Sequence, residues 1–320
     1  MMEAKRAAET AGMSRGQWLQ ARRRGIGGSD APALMGASPW ATPLSVYADK
    51  MGFLPEKEET VAMRFGRDAE EIVARWFAQD TGKKVRRLNA ILQHSRYPWM
   101  LANIDRKIQG ESAGLECKTT SAFHKTDFEA GSIPPYYYWQ CVHYLAVTNL
   151  ERWYLAVICG NSGFYHYVIA RNEEHIRILT EREKDFWINH VQAGVPPEPS
   201  GQEADGIAIG AMNALAEAPE CTSAELEGLE EVFDQLALAK AARSASEKQI
   251  AVLEQQIKIS MANAQRGRCG RWRVSYCEQI RTTLDGKRLK AELPQVYEAY
   301  KKANTIRPLL VREAEREEGD

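Results

Sequence analysis

The stretch from Asn103 to Thr119, NIDRKIQGESAGLECKT, holds two acids and a lysine at spacings that govern the reading of the whole chain. Asp105 closes a short apolar run. A polar turn with Gly110 and Gly114 follows, and Leu115-Glu116-Cys117-Lys118-Thr119 has the pattern of a second short strand. Side chains alternate along a strand, so Glu116 and Lys118 share one face. Two antiparallel strands joined by that turn bring Asp105 beside Glu116. Hard divalent cations take oxygen ligands, and Mg²⁺ is held by one or two carboxylates together with phosphate and water. A lysine beside them is placed to orient or deprotonate an attacking water, as metal-assisted phosphodiester hydrolysis requires. The same residues also describe a surface hairpin crossed by a salt bridge, and the stretch alone leaves both readings open.

The surrounding chain is that of an ordinary folded protein. It has 320 residues, 44% hydrophobic and 27% charged, with a formal net charge of −1. That length suits one large domain or two smaller ones. Near-neutral overall charge says nothing against nucleic acid, because local clustering of Lys and Arg is what matters there. No run approaches the roughly 18 apolar residues of a membrane span, and the N-terminal segment has no apolar signal core. A cytoplasmic protein with no membrane partner is expected. The six cysteines form no CxxC pair, so they read as reduced thiols, mostly core fillers, and not as a zinc or iron–sulfur site.

Upstream, residues 2–24 read as a charged helix ending in Arg22-Arg23-Arg24. Gly25-Ile26-Gly27-Gly28-Ser29-Asp30 follows, with Ser29 or Asp30 as the cap of the next helix. Free N–H groups there, with the nearby arginines, make either a phosphate site or a plain glycine turn. Short helices are expected from Ala31 and over 43–52, separated by Ala37-Ser38-Pro39-Trp40. Residues 66–82 form an amphipathic helix with Ile72, Val73, Trp76 and Phe77 as its apolar stripe and Gly82 as its end. Glu70 falls on its first turn, as a solvated residue favoured by the helix dipole or a carboxylate aimed at a metal. The segments 90–93, 99–104 and 115–119 suggest an antiparallel meander.

Downstream, Ile133-Pro134-Pro135 opens an aromatic helix over 136–149 that contains Tyr137, Gln140 and His143. A buried Gln140 must find partners, a metal-bound water or neighbouring backbone. Strands at 153–159 and 164–170 flank a Gly160–Gly163 turn, and a helix at 173–191 closes an α/β or α+β core of about 200 residues, a usual domain size. Residues 200–222 read as a linker. Residues 223–264 are helical, either a hairpin or partial coiled coil or one amphipathic helix, with Lys240 and Arg243 interrupting the stripe. The basic segment Arg266-Gly267-Arg268-Cys269-Gly270-Arg271-Trp272-Arg273 suits either a phosphate backbone with a stacked base or an edge strand blunted by charge.

Taken in order, these pieces resemble the YqaJ-type viral recombinase family, relatives of phage lambda exonuclease within the PD-(D/E)XK nuclease superfamily. Four separated motifs carry the resemblance over roughly residues 15–195. They are Trp18…Arg22…Gly25-Ile26-Gly27-Gly28-Ser29-Asp30 with Ser38-Pro39-Trp40, then Gly66-Arg67-Asp68-Ala69-Glu70, then Asp105 with Leu115-Glu116-Cys117-Lys118, and Tyr137-Tyr138-Trp139-Gln140. The tail from Asp285 to Pro308 also looks like the end of some phage members. One departure is Arg106, where many relatives have glycine after the acid; it either contacts DNA or crowds the turn.

The resemblance implies a PD-(D/E)XK restriction-endonuclease-like core over 1–199, a central mixed sheet flanked by helices. A linker at 200–222 and a helical, partly coiled-coil-like C-terminal extension with a short β/α region over 223–320 complete the expected layout. It further implies that Asp105, Glu116 and the Cys117 carbonyl ligate a catalytic Mg²⁺, with Glu70 supporting a second ion or its water; Mn²⁺ could substitute. Lys118 would position or activate water and Gln140 would orient substrate or water. Arg22 and Ser29 match positions that grip a terminal 5′-phosphate, and Trp18, Arg24, Trp40, Arg106 and Tyr137 are further positions for DNA contact.

The implied reaction is Mg²⁺-dependent 5′-to-3′ exonuclease digestion of linear duplex DNA, leaving 3′ single strands for recombination. The implied partners are double-stranded DNA ends, a single-strand annealing protein and further copies of the chain, a trimeric ring among the options, in the cytoplasm of a bacterial host of phage or prophage. An endonuclease on the same core and a non-catalytic DNA-binding module are the competing expectations. The set Glu70, Asp105, Glu116 and Lys118 argues against the last, since a binding module need not keep all four.

Overall fold

The computed structural model describes residues 4–56, 58–129, 131–214, 225–302 and 308–312. The chain divides into two compact units, Met1–Pro219 and Glu220–Asp320.

The first unit opens with strand β1 (Lys5–Glu9), then helices α1 (Arg15–Arg23), α2 (Ala31–Leu34), α3 (Pro43–Lys50) and α4 (Val61–Thr81). Strands β2 (Val85–Arg86), β3 (Ala90–Gln93), β4 (Leu101–Asn103), β5 (Arg106–Ile108) and β6 (Ala113–Thr120) follow. Next come α5 (Thr126–Glu129), α6 (Pro135–Thr148), β7 (Arg152–Cys159), β8 (Gly163–Ala170), α7 (Glu173–Asp185) and α8 (Glu203–Ala214).

The main sheet has the order β2-β5-β6-β7-β8 and is mixed: β6 and β7 are parallel, joined through α6, and the other pairs are antiparallel. Strand β7 is buried on both faces from Trp153 to Cys159, which is why its sequence is a continuous apolar run without alternation. Helix α4 covers one face, with Val73, Ala74 and Phe77 against Leu115, Cys117, Tyr154 and Ala156. Helix α6 covers the other, with Cys141, Val142 and Leu145 against Trp153, Leu155 and Val157. The fully buried Phe77 is worth roughly 2–3 kcal/mol as apolar area removed from water. The expected central mixed sheet flanked by helices is the architecture found.

Several local expectations are corrected. Residues 5–9, read as the start of a helix, form a strand paired with Ala90–Gln93, and only Arg15–Arg23 is helical. Ser14 supplies the reason: its side chain accepts from Gln17 N while Gln17 returns a bond to the Ser14 backbone, a capping box that starts the helix there. Helix α4 starts five residues earlier than expected, capped by Thr60, so Glu70 lies mid-helix and not on a first turn. Its buried stripe is Ala69, Val73, Ala74 and Phe77, whereas Ile72 and Trp76 are exposed.

The meander is split. Strands β3 and β4 belong to a second sheet of order β1-β3-β4, and the chain passes to the main sheet at Ile104-Asp105. Helix α7 continues as a π-helical turn over Phe186–Gln192. Residues 203–214, expected within a linker, are helical. Asp205 is buried and accepts from Thr42 Oγ1 and from Ser200 N and Oγ, and Ala208 is buried in a cluster with residues of α3. Residues 215–222 of that segment lie outside the described residues, as does the acidic end of the tail.

In the second unit, α9 (Glu230–Met261) is one continuous helix of 32 residues, not a helical hairpin. A two-stranded hairpin of β9 (Arg266–Cys269) and β10 (Trp272–Ser275) follows, then α10 (Gly286–Glu292) and α11 (Pro294–Tyr300). Among the described residues no helix is long and apolar enough to cross a membrane. Cys117, Cys141 and Cys159 are buried free thiols, and Cys269 and Cys277 are exposed ones.

Candidate active site

Strand β6 sets the site. Its residues 113, 115 and 117 face α4 and pack in the apolar cluster there. Alternation therefore turns Glu116 and Lys118 toward α6. Glu116 is 3% exposed. Its Oε1 lies 2.6 Å from Lys118 Nζ and accepts from Gln140 Nε2 of α6, also over 2.6 Å. Gln140 Nε2 donates in addition to the Tyr144 hydroxyl at 2.9 Å. Glu116 Oε2 is buried and has no hydrogen-bond partner among the described residues. A buried carboxylate oxygen without a partner is costly, so it marks a place for a cation or donor.

Asp105 reaches the same place from the crossing between the two sheets. Its Oδ2 accepts from the Cys117 backbone N–H at 2.8 Å, next to the pairing of Arg106 with Leu115. The predicted proximity of Asp105 and Glu116 is thus built by β5 and β6, the strands on either side of the glycine-containing turn. Burial, then the charges of Glu116 and Glu70, push the Asp105 carboxyl well above the usual carboxylate range, against the pull of Lys118. For Lys118, burial works against the charge, but Glu116 and Asp105 outweigh it and hold the ammonium more strongly than usual. Lys118 thus stands as a cation against the Glu116 carboxylate, where it can orient a water. Burial likewise drives Tyr137, whose ring lies 5.6 Å from Lys118 Nζ, up to about 12.

A buried Asp105 whose proton affinity Glu116 raises, beside a Glu116 oxygen left unpartnered among the described residues, suits a hard divalent ion. Among the described residues no group of three or more His, Cys, Asp or Glu side chains gathers in metal-binding reach. Asp105 and Glu116 are the carboxylates that could hold such an ion, and the Cys117 carbonyl lies on the segment between Glu116 and Lys118.

Glu70, whose charge reaches Asp105, is also paired with arginines. Its Oε1 pairs with Arg106 and, at 3.3 Å, with Arg87. Arg106, 2% exposed, also donates to Glu71 Oε2 at 2.8 Å and to the Asp105 carbonyl at 2.7 Å. The guanidinium thus neither crowds the turn nor faces outward. It ties helix α4 to the backbone that carries Asp105.

The glycine-rich loop is joined to the site through packing. Arg22 donates to Ser29 Oγ at 2.6 Å and lies over the Trp18 ring at 4.7 Å, so these three residues form one cluster. Asp30 stands at the N-cap of α2 without a side-chain cap bond. It accepts from Gly27 N at 2.8 Å and from the buried Lys50 at 2.6 Å. A Cβ on Gly28 would stand 2.5 Å from the Tyr144 ring, so only glycine lets the loop lie on the tyrosine that bonds Gln140. On the other side, Trp40, Tyr136 and Tyr137 form a row of edge-to-face rings that ends at Lys118, with Trp40 67% exposed. Arg24 makes backbone bonds at the end of α1 and joins neither group.

Sequence reasoning missed Tyr144 and Lys50. Tyr144 is four residues from Gln140 on one helix face, which was a readable signal. Lys50 meets Asp30 only through packing of α3.

A sequence profile of the YqaJ-like viral recombinase domain matches residues 17–151. The uncharacterized protein YqaJ of Bacillus subtilis (strain 168) is 38% identical over 321 residues, covering 98% of this chain and 99% of that protein. Among solved structures, an alkaline exonuclease (LHK-Exo) from Laribacter hongkongensis aligns with 56% of this chain and 94% of its own, at 16% identity and a TM-score of 0.49. A phage-related exonuclease from Haemophilus somnus 129PT aligns with 53% of this chain and 94% of its own, at 10% identity and a TM-score of 0.43.

Proposed function

The chain belongs to the YqaJ-like viral recombinase family, and from that premise we propose that it is a divalent-metal-dependent deoxyribonuclease that digests linear duplex DNA from its 5′ ends. The observation that carries the reading is the Glu116 carboxylate. One oxygen is shared by Lys118 and Gln140, and the other is buried without a hydrogen-bond partner among the described residues.

Asp105 and Glu116 would hold the ion, which supplies charge stabilisation at the phosphate and a more acidic water. The residues of the chain do the rest. Lys118 presents its ammonium to the water or to the phosphate oxygens. Gln140, held by Tyr144, fixes the rotamer of Glu116. Arg106 fixes the backbone of Asp105 and keeps Glu70 on its own guanidinium. Arg22 and Ser29 offer a guanidinium and a hydroxyl in contact with each other, a pairing suited to a terminal phosphate. The ring row from Trp40 to Tyr137 offers faces to bases or sugars next to Lys118. Polarity from the 5′ end rests on the Arg22–Ser29 pair. Work with an annealing protein, assembly with further copies and action in the bacterial cytoplasm belong to the same proposal and follow from the family resemblance alone.

The test is digestion of linear duplex labelled at either end, with Mg²⁺ or EDTA, with and without a 5′-phosphate, beside a closed circle. Release of 5′ label as mononucleotide, only with the metal and faster with the phosphate, is expected. Cutting of the circle would replace the exonuclease by an endonuclease. Absence of hydrolysis by the folded protein with Mg²⁺ or Mn²⁺ would reject the proposal.

A further inference from the structure

Helix α9 presents a surface that the proposed chemistry does not use. It has 32 residues and so runs for about 48 Å. Met261 at its end is buried, Phe233 and Leu236 are half-buried, and every other residue of the helix is exposed. A helix in water owes most of its stability to packing of an apolar face, and among the described residues nothing covers this one. The uncovered surface has a pattern. Positions from Leu229 to Ile257, taken alternately three and four apart, form one row. Leu229, Val232 and Leu236 begin it, and Ile250, Leu253 and Ile257 end it. Ala239, Arg243 and Ser246 lie between, while Leu238, Val252 and Ile259 fall outside it. A row with that strict spacing is the seam of a two-stranded coiled coil.

The two ends of the helix carry opposite charge. Residues 225–239 hold five acids and no base, and residues 258–273 hold five bases and no acid. The second group runs from Lys258 into the β9–β10 hairpin, where Arg268 stands opposite Arg273. The helix dipole favours such ends, but its reach is one turn and the charge extends past α9 on both sides. Two copies of the helix can pair in two directions. Parallel and in register, Arg243 would meet Arg243 at the seam, with acids beside acids and bases beside bases. Antiparallel, Leu236 meets Leu253, Val232 meets Ile257, Ala239 meets Ile250, and Arg243 meets Ser246. The flanking positions then bring Lys240 against Glu247, the acid that Arg243 holds within its own helix at 3.3 Å. Charges beside the seam and a polar residue within it set orientation and register in coiled coils, and here both favour the antiparallel pair.

We propose that α9 is a homodimerisation surface on which a second copy of the chain docks antiparallel, along the row from Leu229 to Ile257. The interface is isologous: the same patch serves both copies, and the assembly it makes closes at two. Assembly with further copies was proposed above from the family alone and without a surface. The surface lies wholly in the second unit and does not depend on the nuclease reading, so either can fail without the other.

The experiment is light scattering of the full chain as it leaves a sizing column, without DNA or metal. The wild type is expected at twice the 36.0 kDa of one chain, and L236E or L253K alone at half the wild-type mass. Leu236 is half-buried and Leu253 exposed in the single chain, so neither change opens a core. An equimolar mixture of L236E and L253K chains is expected to regain the wild-type mass. Antiparallel docking sets the new acid against the new base and leaves the remaining Leu236 and Leu253 against each other. A parallel pair brings neither change to the other, and its mixture would stay at half mass. A monomeric wild type, single variants that keep the wild-type mass, or a mixture that fails to recover it would overturn the proposal.

Discussion

Gln140 on α6 and Glu116 on β6 are joined by a 2.6 Å bond from the amide to Oε1, while Glu116 Oε2 has no partner among the described residues. The helix fixes the carboxylate so that one oxygen is spent inside the protein and the other is offered to the site. Removing Gln140 should therefore disturb chemistry more than folding. Gln140→Ala is expected to lower kcat/KM about 10- to 100-fold, the usual cost of losing a group that orients a metal ligand. Duplex binding should change little. A loss confined to KM would show that Gln140 contacts substrate instead.

Lys118 is the cation on the same oxygen. Lys118→Ala should reduce hydrolysis by about 10² to 10⁴, the range for a positioned proton-handling or charge-stabilising group. DNA binding in EDTA should persist. Cleavage at the wild-type rate would remove Lys118 from the mechanism.

Asp105 gives the pH dependence. Its carboxyl titrates well above the ordinary value of 3.8 because of burial and of Glu116 and Glu70. The folded protein then holds this proton more tightly than the unfolded chain. The associated stability is full below the unfolded value and is lost as pH rises through the folded one. In EDTA the melting temperature should carry a downward contribution above about pH 4, absent in Asp105→Asn. At neutral pH, Mg²⁺ or Mn²⁺ at about 100 times its Kd should restore roughly 2.7 kcal/mol in the wild type and much less in the variant. Equal stabilisation of both by the metal would show that Asp105 is no ligand.

Arg106 is buried with Glu70 and Glu71 as its partners. Arg106→Ala leaves those acids without their cation and releases the Asp105 carbonyl. Glu71 is largely exposed and Glu70 partly so, so a destabilisation of about 1–3 kcal/mol is expected, the range for lost hydrogen bonds to a charged group, measurable by urea unfolding. A neutral effect on stability with impaired DNA binding would mean that Arg106 works at the DNA.

Gly28 lies on Tyr144, which bonds Gln140. Gly28→Ala should displace the ring and lower hydrolysis while Arg22 and Ser29 remain in place. Tyr144→Phe, which removes only the hydroxyl, should give a smaller loss of the same kind. A variant Gly28→Ala with full activity would show that the loop and the site are not coupled.

Much of the site was legible because its signals are local. The alternation of Glu116 and Lys118 along β6 and the turn that returns the chain to Asp105 depend on near neighbours. So do the proline at the start of α6 and the polar Gln140 among its buried residues. The family pattern added Arg22 and Ser29, and the structure brings them together. The errors arose where the competing signal was weak. Residues 5–9 have no strand pattern of their own and become a strand by pairing with Ala90–Gln93. The start of α4 was missed because Thr60 precedes a segment whose Val61, Met63 and Phe65 remain exposed.

The sequence by itself determined the period of each main element, the shared face of Glu116 and Lys118 and the order of the motifs, because these follow from backbone geometry within a few residues. Tertiary structure alone decided that β3 and β4 leave the main sheet, that Asp105 sits at the crossing, and that Glu70 pairs with Arg106. It also decided that Gly28 supports Tyr144 and that Arg268 faces Arg273. Each of these depends on which distant segments lie side by side, and that is fixed by burial of the shared core and not by any pattern within one segment.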